Sequence, residues 1–410
     1  MLSTLFLVVS FALLVVSAPL NPPNNAVHSS RRVTSAGRNV AHFQTLWAQY
    51  APYTPAGTYS EPSGCEINQV QRHGSRYPTK NQNEAIHEAV KKIRAAKDIT
   101  DPNLKTVSQE KYDFTDKDVE QLTAIGLEES EASGKLQYSR YQKWKLFAKS
   151  APTVHSSSVT RVQNSANAWI KGFKEERKMK ISPPTVIQKQ SDKPAMQWVA
   201  DNHLKRWKAT YLPPITKYLH GVTGAALEDK DTYSLMSMCA FHSSAIRKST
   251  SDQTLSPFCG IFTDEEFKDF AYQGALDKYY IARAPFHERY GLSPEGYSEA
   301  LHTRLTDPKS GTFYADFSHD NEMSGIMKVL GLFPQARDLS SEKRDDSTNF
   351  IVSKITPFAA RMAVERMTCG SHEQFVRVLV SDVVQPLAWC GGKEGLCKLE
   401  AFVEGPEKKK

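Results

Sequence analysis

The spacing of hydrophobic positions changes several times along the chain, and each change predicts an element. Residues 4–16 are an apolar run broken only by Thr4 and Ser10, closed by Ser17-Ala18. A run that short does not span a bilayer comfortably, so residues 1–18 read as a secretory signal peptide. Residues 19–40 are rich in Pro, Asn, Ser and Arg and have no hydrophobic period. They predict an arm or pro-segment, with Arg31-Arg32 as a candidate processing site. Residues 65–71 (Cys-Glu-Ile-Asn-Gln-Val-Gln) form a strand-like run that delivers Arg72 at its C-terminal end. Ile86, Val90 and Ile93 share one face of a helix over 82–97, and a second helical stretch covers 127–148. A β-prone run over 153–158 leads into a helix over 161–170, a second strand-to-helix junction. Residues 177–300 are mostly helical in pattern, punctuated by Pro183-Pro184 and Pro213-Pro214, without strand–helix alternation. Strands return at 312–317 and 375–380, and a helix over 322–332 starts beside the capping types Asp320 and Asn321.

Strands that run into helices predict an α/β class with a central, mostly parallel sheet. The sheet and its helices would come from 41–176 and 301–405, with 177–300 as an inserted helical cap and 406–410 as a basic tail. The 410 residues are 40% hydrophobic and 24% charged, an ordinary globular balance. A net charge of +7 raises the local concentration of anionic ligands. No Arg/Lys-rich helix carries interleaved aromatics, so no nucleic-acid partner is expected. No segment after residue 18 is long and apolar enough to anchor the chain, so no membrane partner is expected either. The protein should be extracellular and a monomer, and its six cysteines suit an oxidising export route.

The chemistry concentrates in Gln71-Arg72-His73-Gly74-Ser75-Arg76-Tyr77-Pro78-Thr79. Guanidinium groups match the geometry of phosphate oxygens with paired donors, and the imidazole between them is a potential nucleophile. Gly74 would let a phosphate approach the backbone beside His73. Two other strand ends carry Arg161 and His319-Asp320. Taken singly, Arg161 reads as a surface charge and His319-Asp320 as a helix cap. No Cys/His or His-x-x-x-His spacing argues for a metal, and no cofactor is expected.

With these residues in place, the chain resembles the histidine acid phosphatases, and within them the fungal phytases. The similarity rests on Arg-His-Gly-Ser-Arg-Tyr-Pro-Thr (72–79), Arg-Val-x-x-Ser-Ala (161–166), Leu-Met-x-Met-Cys (235–239), Leu-Ser-Pro-Phe-Cys (255–259), Tyr-Ala-Asp-Phe-Ser-His-Asp-Asn (314–321) and Val-Gln-Pro-Leu-x-x-Cys-Gly-Gly (384–392). The resemblance implies a phosphoglycerate-mutase-like fold and a secreted acid phosphomonoesterase acting on myo-inositol hexakisphosphate or other inositol phosphates. It implies that His73 attacks phosphorus, that Arg72, Arg76, Arg161 and His319 hold the phosphate, and that Asp320 is the leaving-group acid. It also implies that Lys80 and Lys278 grip outer phosphates. The disulfides implied are Cys65–Cys369, Cys239–Cys259 and Cys390–Cys397. A broad-specificity acid phosphatase is the alternative within the class. A catalytically impaired phosphate-binding homologue is the alternative outside it. That last reading arises because only residues 66–71 separate Cys65 from Arg72, and an odd shortening of a strand reverses its faces.

Overall fold

The computed structural model describes residues 37–61, 66–112, 114–144, 146–147, 150–175, 179–187, 197–283, 293–369, 373–391 and 395–406. The signal-peptide and arm expectations, Arg31-Arg32, the Lys408–Lys410 end and the Cys65–Cys369 pairing lie outside the described residues. In chain order the first half contains α1 (Val40–Gln44), β1 (Glu66–Arg72), α2 (Lys80–Ala95), α3 (Pro102–Gln109), α4 (Ala124–Tyr141), β2 (Thr153–Ser157), α5 (Thr160–Glu175) and β3 (Thr185–Ile187). Helices α6 (Gln197–Thr223), α7 (Asp229–Ile246), α8 (Asp264–Ile281) and α9 (Pro294–Thr306) follow. The chain then returns through β4 (Phe313–Ser318), α10 (Asp320–Val329), α11 (Val352–Ile355), β5 (Arg361–Cys369), β6 (Glu373–Val380), β7 (Val383–Val384), β8 (Cys397–Lys398) and α12 (Leu399–Glu404).

The strands make one sheet in the order β3-β2-β4-β1-β5-β6-β7, with β8 beside β6. β3, β2, β4 and β1 pair in parallel, whereas β5, β6, β7 and β8 join through antiparallel pairings. The sheet is therefore mixed, parallel over the half that presents the candidate site. β1 lies between β4 and β5 and is buried along both faces, as an interior strand must be. Ile67 joins the apolar cluster with Trp169, Phe173 and Phe313, and Val70 joins the cluster on the other face with Ile86 and Phe241. Each contributes roughly 1.5–3 kcal/mol of burial. Those two anchors hold the register, so Arg72 lies opposite Ser318 and Gln71 opposite Arg361. The short strand thus remains fully paired, and its end still meets the end of β4.

Several boundaries differ from the pattern reading. Pro213 and Pro214 lie inside α6 instead of ending it. Both are exposed, so water can take the carbonyls they leave without N–H partners, while Leu212, Ile215 and Leu219 bury the opposite face. The 177–300 segment starts with an edge strand, because the β-branched run in Thr185-Val186-Ile187 pairs with β2. α4 ends at Tyr141, before the predicted 148, and its last turn passes into a short 3-10 turn over Gln142–Trp144. β5 is hidden in the sequence by charges at Arg361, Glu365 and Arg366. Glu365 is buried among Tyr59, Tyr141 and Arg377, which satisfy its carboxylate. Leu212, Ile215 and Leu219 of α6 belong to the same buried cluster as Val70, so the helices of 197–281 pack onto the sheet side of the molecule. Cys239–Cys259 and Cys390–Cys397 are disulfides. No helix among the described residues is long and apolar enough to cross a membrane.

Candidate active site

The parallel pair β1 and β4 ends side by side, and ligands of α/β sheets sit beyond such carboxyl ends. β1 supplies Arg72 and then His73; β4 supplies His319, which caps α10, and Asp320, its first residue. Asp320 is thus inside the first turn, not the cap. Arg161 comes from the first turn of α5, after β2.

His73 is buried, and its Nδ1 lies 2.8 Å from the Gly74 carbonyl oxygen. A carbonyl only accepts, so Nδ1 carries the proton and Nε2 presents a lone pair. Arg161 Nε donates towards that Nε2 at 3.4 Å. Burial, then the charges of Arg72 and Arg161, hold the His73 pKa well below its ordinary value. The His319 ring stands edge-on to it with centroids 5.4 Å apart, its own pKa lowered by burial and then by Arg161.

Arg72 is fixed by backbone. Its NH1 donates to the carbonyls of Gln49 and Thr356, its guanidinium lies 4.6 Å over the Phe358 ring, and its NH2 reaches Asp320 Oδ2 at 3.2 Å. Arg76 donates to the Tyr77 carbonyl at 2.8 Å and faces the Phe241 ring; burial and Arg161 lower it to about 10. Arg161 NH1 also lies 3.6 Å from Glu120 Oε2 at the exposed mouth. Burial pushes the Asp320 carboxyl up, but Arg72 and Lys278 overcome it and hold it well below the usual carboxylate range. Three guanidiniums thus converge around one neutral imidazole and one carboxylate, an arrangement that favours a bound anion.

The structure brings together Arg72, His73, Arg76, Arg161, His319, Asp320 and Lys278, and leaves Lys80 apart. Lys80 is exposed at the start of α2, beside the wall formed by Asn81 and Gln82. Lys278 is buried on Asp320 itself, with Nζ 2.9 Å from Oδ2. Gly74 serves a purpose different from the one expected. A Cβ there would lie 2.0 Å from the Gly126 carbonyl oxygen, so its missing side chain makes room for α4 and not for phosphate. His155 turns away from the site to Asp316, which Arg304 also binds. Two supports were not foreseen. The buried Glu129 carboxylate accepts Ser75 N–H at 2.8 Å and the Ser75 hydroxyl at 2.9 Å, and Ser165 Oγ accepts Gly74 N–H at 3.0 Å. Among the described residues no cluster of His, Cys, Asp and Glu is arranged to hold a metal ion.

Fold and site together define a phosphoric monoester hydrolase centred on histidine. Residues 66–381 match the histidine phosphatase superfamily (branch 2). The chain is 32% identical to Phytase A of Emericella nidulans, covering 90% of this chain and 88% of that one. It is 32% identical to Phytase A of Aspergillus fumigatus over 88% of this chain and 87% of that one. A solved structure of the phytase from D. castellii superposes with a TM-score of 0.75 at 19% identity, covering 94% of this chain and 89% of that one. A Bifidobacterium longum multiple inositol polyphosphate phosphatase complexed with inositol hexasulfate gives 0.62 at 13% identity, over 87% and 96%. The protein belongs to the histidine phosphatase superfamily, branch 2, and has its α/β fold.

Proposed function

We propose that this is an exported acid phosphatase that releases phosphate from myo-inositol hexakisphosphate through a phosphohistidine on His73. The observation that carries the reading is the setting of His73: Nδ1 lies 2.8 Å from the Gly74 carbonyl oxygen, which assigns the ring's lone pair to Nε2, the atom that faces Arg161 at 3.4 Å. Nε2 attacks phosphorus in line as the P–O bond to the inositol breaks. Arg72, Arg76, Arg161 and His319 hold the non-bridging oxygens as charge shifts. Asp320 gives its proton to the departing alkoxide, then takes one from the water that attacks the phosphohistidine. The P–N bond breaks, its electrons return to Nε2, and phosphate leaves.

The substrate class draws support from the relatives named Phytase A and from a cavity of about 630 Å³ between α2, α6 and α7. Lys205, Lys208 and Lys230 line it with Asp201 and Asp229, and Gln82 links it to Arg76 at 3.5 Å. In this reading the 177–300 helices cap the sheet and supply one cavity wall, which suits a ligand with several phosphates. An acidic optimum is expected because Asp320 must carry a proton to serve the leaving group, while the lowered His73 pKa favours the ring's lone pair.

The test compares phosphate release from myo-inositol hexakisphosphate and from p-nitrophenyl phosphate, by the exported protein and its His73→Ala variant. Turnover of both with preference for the inositol ester, lost in the variant, is expected. Preference for the aryl ester would indicate a broad acid phosphatase. Phosphate affinity without turnover at any acidic pH would refute the catalytic reading.

A further inference from the structure

Lys278 rests on the candidate acid Asp320. An ammonium has three N–H donors. Here all three have acceptors: Asp320 Oδ2 at 2.9 Å, Asp277 Oδ2 at 3.0 Å and Asn321 Oδ1 at 2.8 Å. The side chain is buried in the last turn of α8, so an outer phosphate would have to break this set to recruit it. Asp320 Oδ2 receives Lys278 and Arg72 NH2 together, while Oδ1 accepts the Asn321 N–H at 3.2 Å. Both cations sit on Oδ2, and their charge opposes protonation of the carboxyl, although Oδ1 keeps a lone pair beyond its one N–H contact.

We propose that Lys278, balanced by Asp277, is the positioning residue that decides when Asp320 takes up the leaving-group proton. This rests on the phosphatase reading above. A substrate phosphate draws the Arg72 NH2 away from Asp320, since NH1 already holds Arg72 in place on the Gln49 and Thr356 carbonyls. Lys278 then remains as the cation on Oδ2, and Asp277 shares its charge. Removing Lys278 makes Asp320 protonate at higher pH, whereas neutralising Asp277 leaves more of the Lys278 charge on Asp320 and does the reverse. The other charged and titratable groups around Asp320 are Arg72, His73 and Arg76 from β1 and its following loop, Arg161 from α5, and His319 with Glu322 at the start of α10. None of these changes in either variant.

The alkaline limb of kcat/KM separates the outcomes, measured for myo-inositol hexakisphosphate, whose alkoxide needs the proton, and p-nitrophenyl phosphate, whose phenolate does not. With the inositol ester, Lys278→Met should move that limb up by roughly 1–2 pH units and Asp277→Asn should move it down. The aryl limb should stay in place, and Lys278→Arg should restore the wild-type profile. An unmoved inositol limb, or equal movement with both substrates, overturns the inference while leaving the phosphatase reading intact. Should Lys278→Met fail to fold, the downward shift in Asp277→Asn alone decides. No turnover of either ester by the wild type would overturn the phosphatase reading and this inference together.

Discussion

Gly74→Ala should disable the site without touching any charged group. The added Cβ would lie 2.0 Å from the Gly126 carbonyl oxygen and 2.6 Å from its carbonyl carbon, both of them backbone atoms of α4. That is about 1 Å closer than packed atoms tolerate, so either α4 or the loop carrying His73 has to move. The loop is held by Ser75 on Glu129 and Gly74 on Ser165, so strain passes straight to the imidazole. Overpacking of this kind costs about 1–3 kcal/mol of stability. A displacement of about 1 Å at the nucleophile costs on the order of 100-fold in turnover. The assay pairs kcat/KM for phosphate release with thermal unfolding. Gly221→Ala is the control, because its Cβ would meet nothing within 4 Å. It lies in the last turn of α6, so the variant should retain full activity and change stability by less than about 1 kcal/mol. A Gly74→Ala protein with wild-type turnover and stability would refute the packing argument.

Two other perturbations test the electrostatics. Glu120→Gln removes a half-exposed carboxylate that competes with phosphate for Arg161, so inhibition by inorganic phosphate should strengthen several-fold at low salt and less at high salt; weaker inhibition would contradict this. His242 is buried against Phe258, and burial lowers it to about 4. The unfolded chain therefore takes up this proton first as pH falls below about 6.5, so the stability it contributes is complete above that pH and is lost down to about 4. The loss amounts to about 3 kcal/mol, and His242→Phe should flatten the urea-unfolding free energy between pH 7 and 4.5; an unchanged slope would count against it.

The cluster was legible because charged side chains make it: Arg72, His73, Arg76, Arg161, His319 and Asp320 lie at or just beyond strand ends that periodicity already marked. What escaped was support made of backbone or of residues that looked ordinary. The carbonyls of Gln49 and Thr356 that orient Arg72 have no sequence signature. Glu129 reads as one charge of an exposed helix until Gly126 brings α4 against the loop. β5 was hidden because its buried charges are satisfied only in three dimensions, by Tyr59, Tyr141 and Arg377. The contacts of Lys278 with Asp277, Asp320 and Asn321 likewise had no sequence signature.

Turnover by the proposed route requires His73 to become covalently phosphorylated. Rapid quenching of the protein with labelled substrate in alkali, where phosphohistidine survives, followed by peptide mass spectrometry, reads this directly. One phosphoryl group on the peptide spanning 72–79, accumulating in Asp320→Asn with an aryl phosphate and absent from His73→Ala, is the predicted result. Turnover by the wild type with no label on His73 under any quench would contradict the central claim.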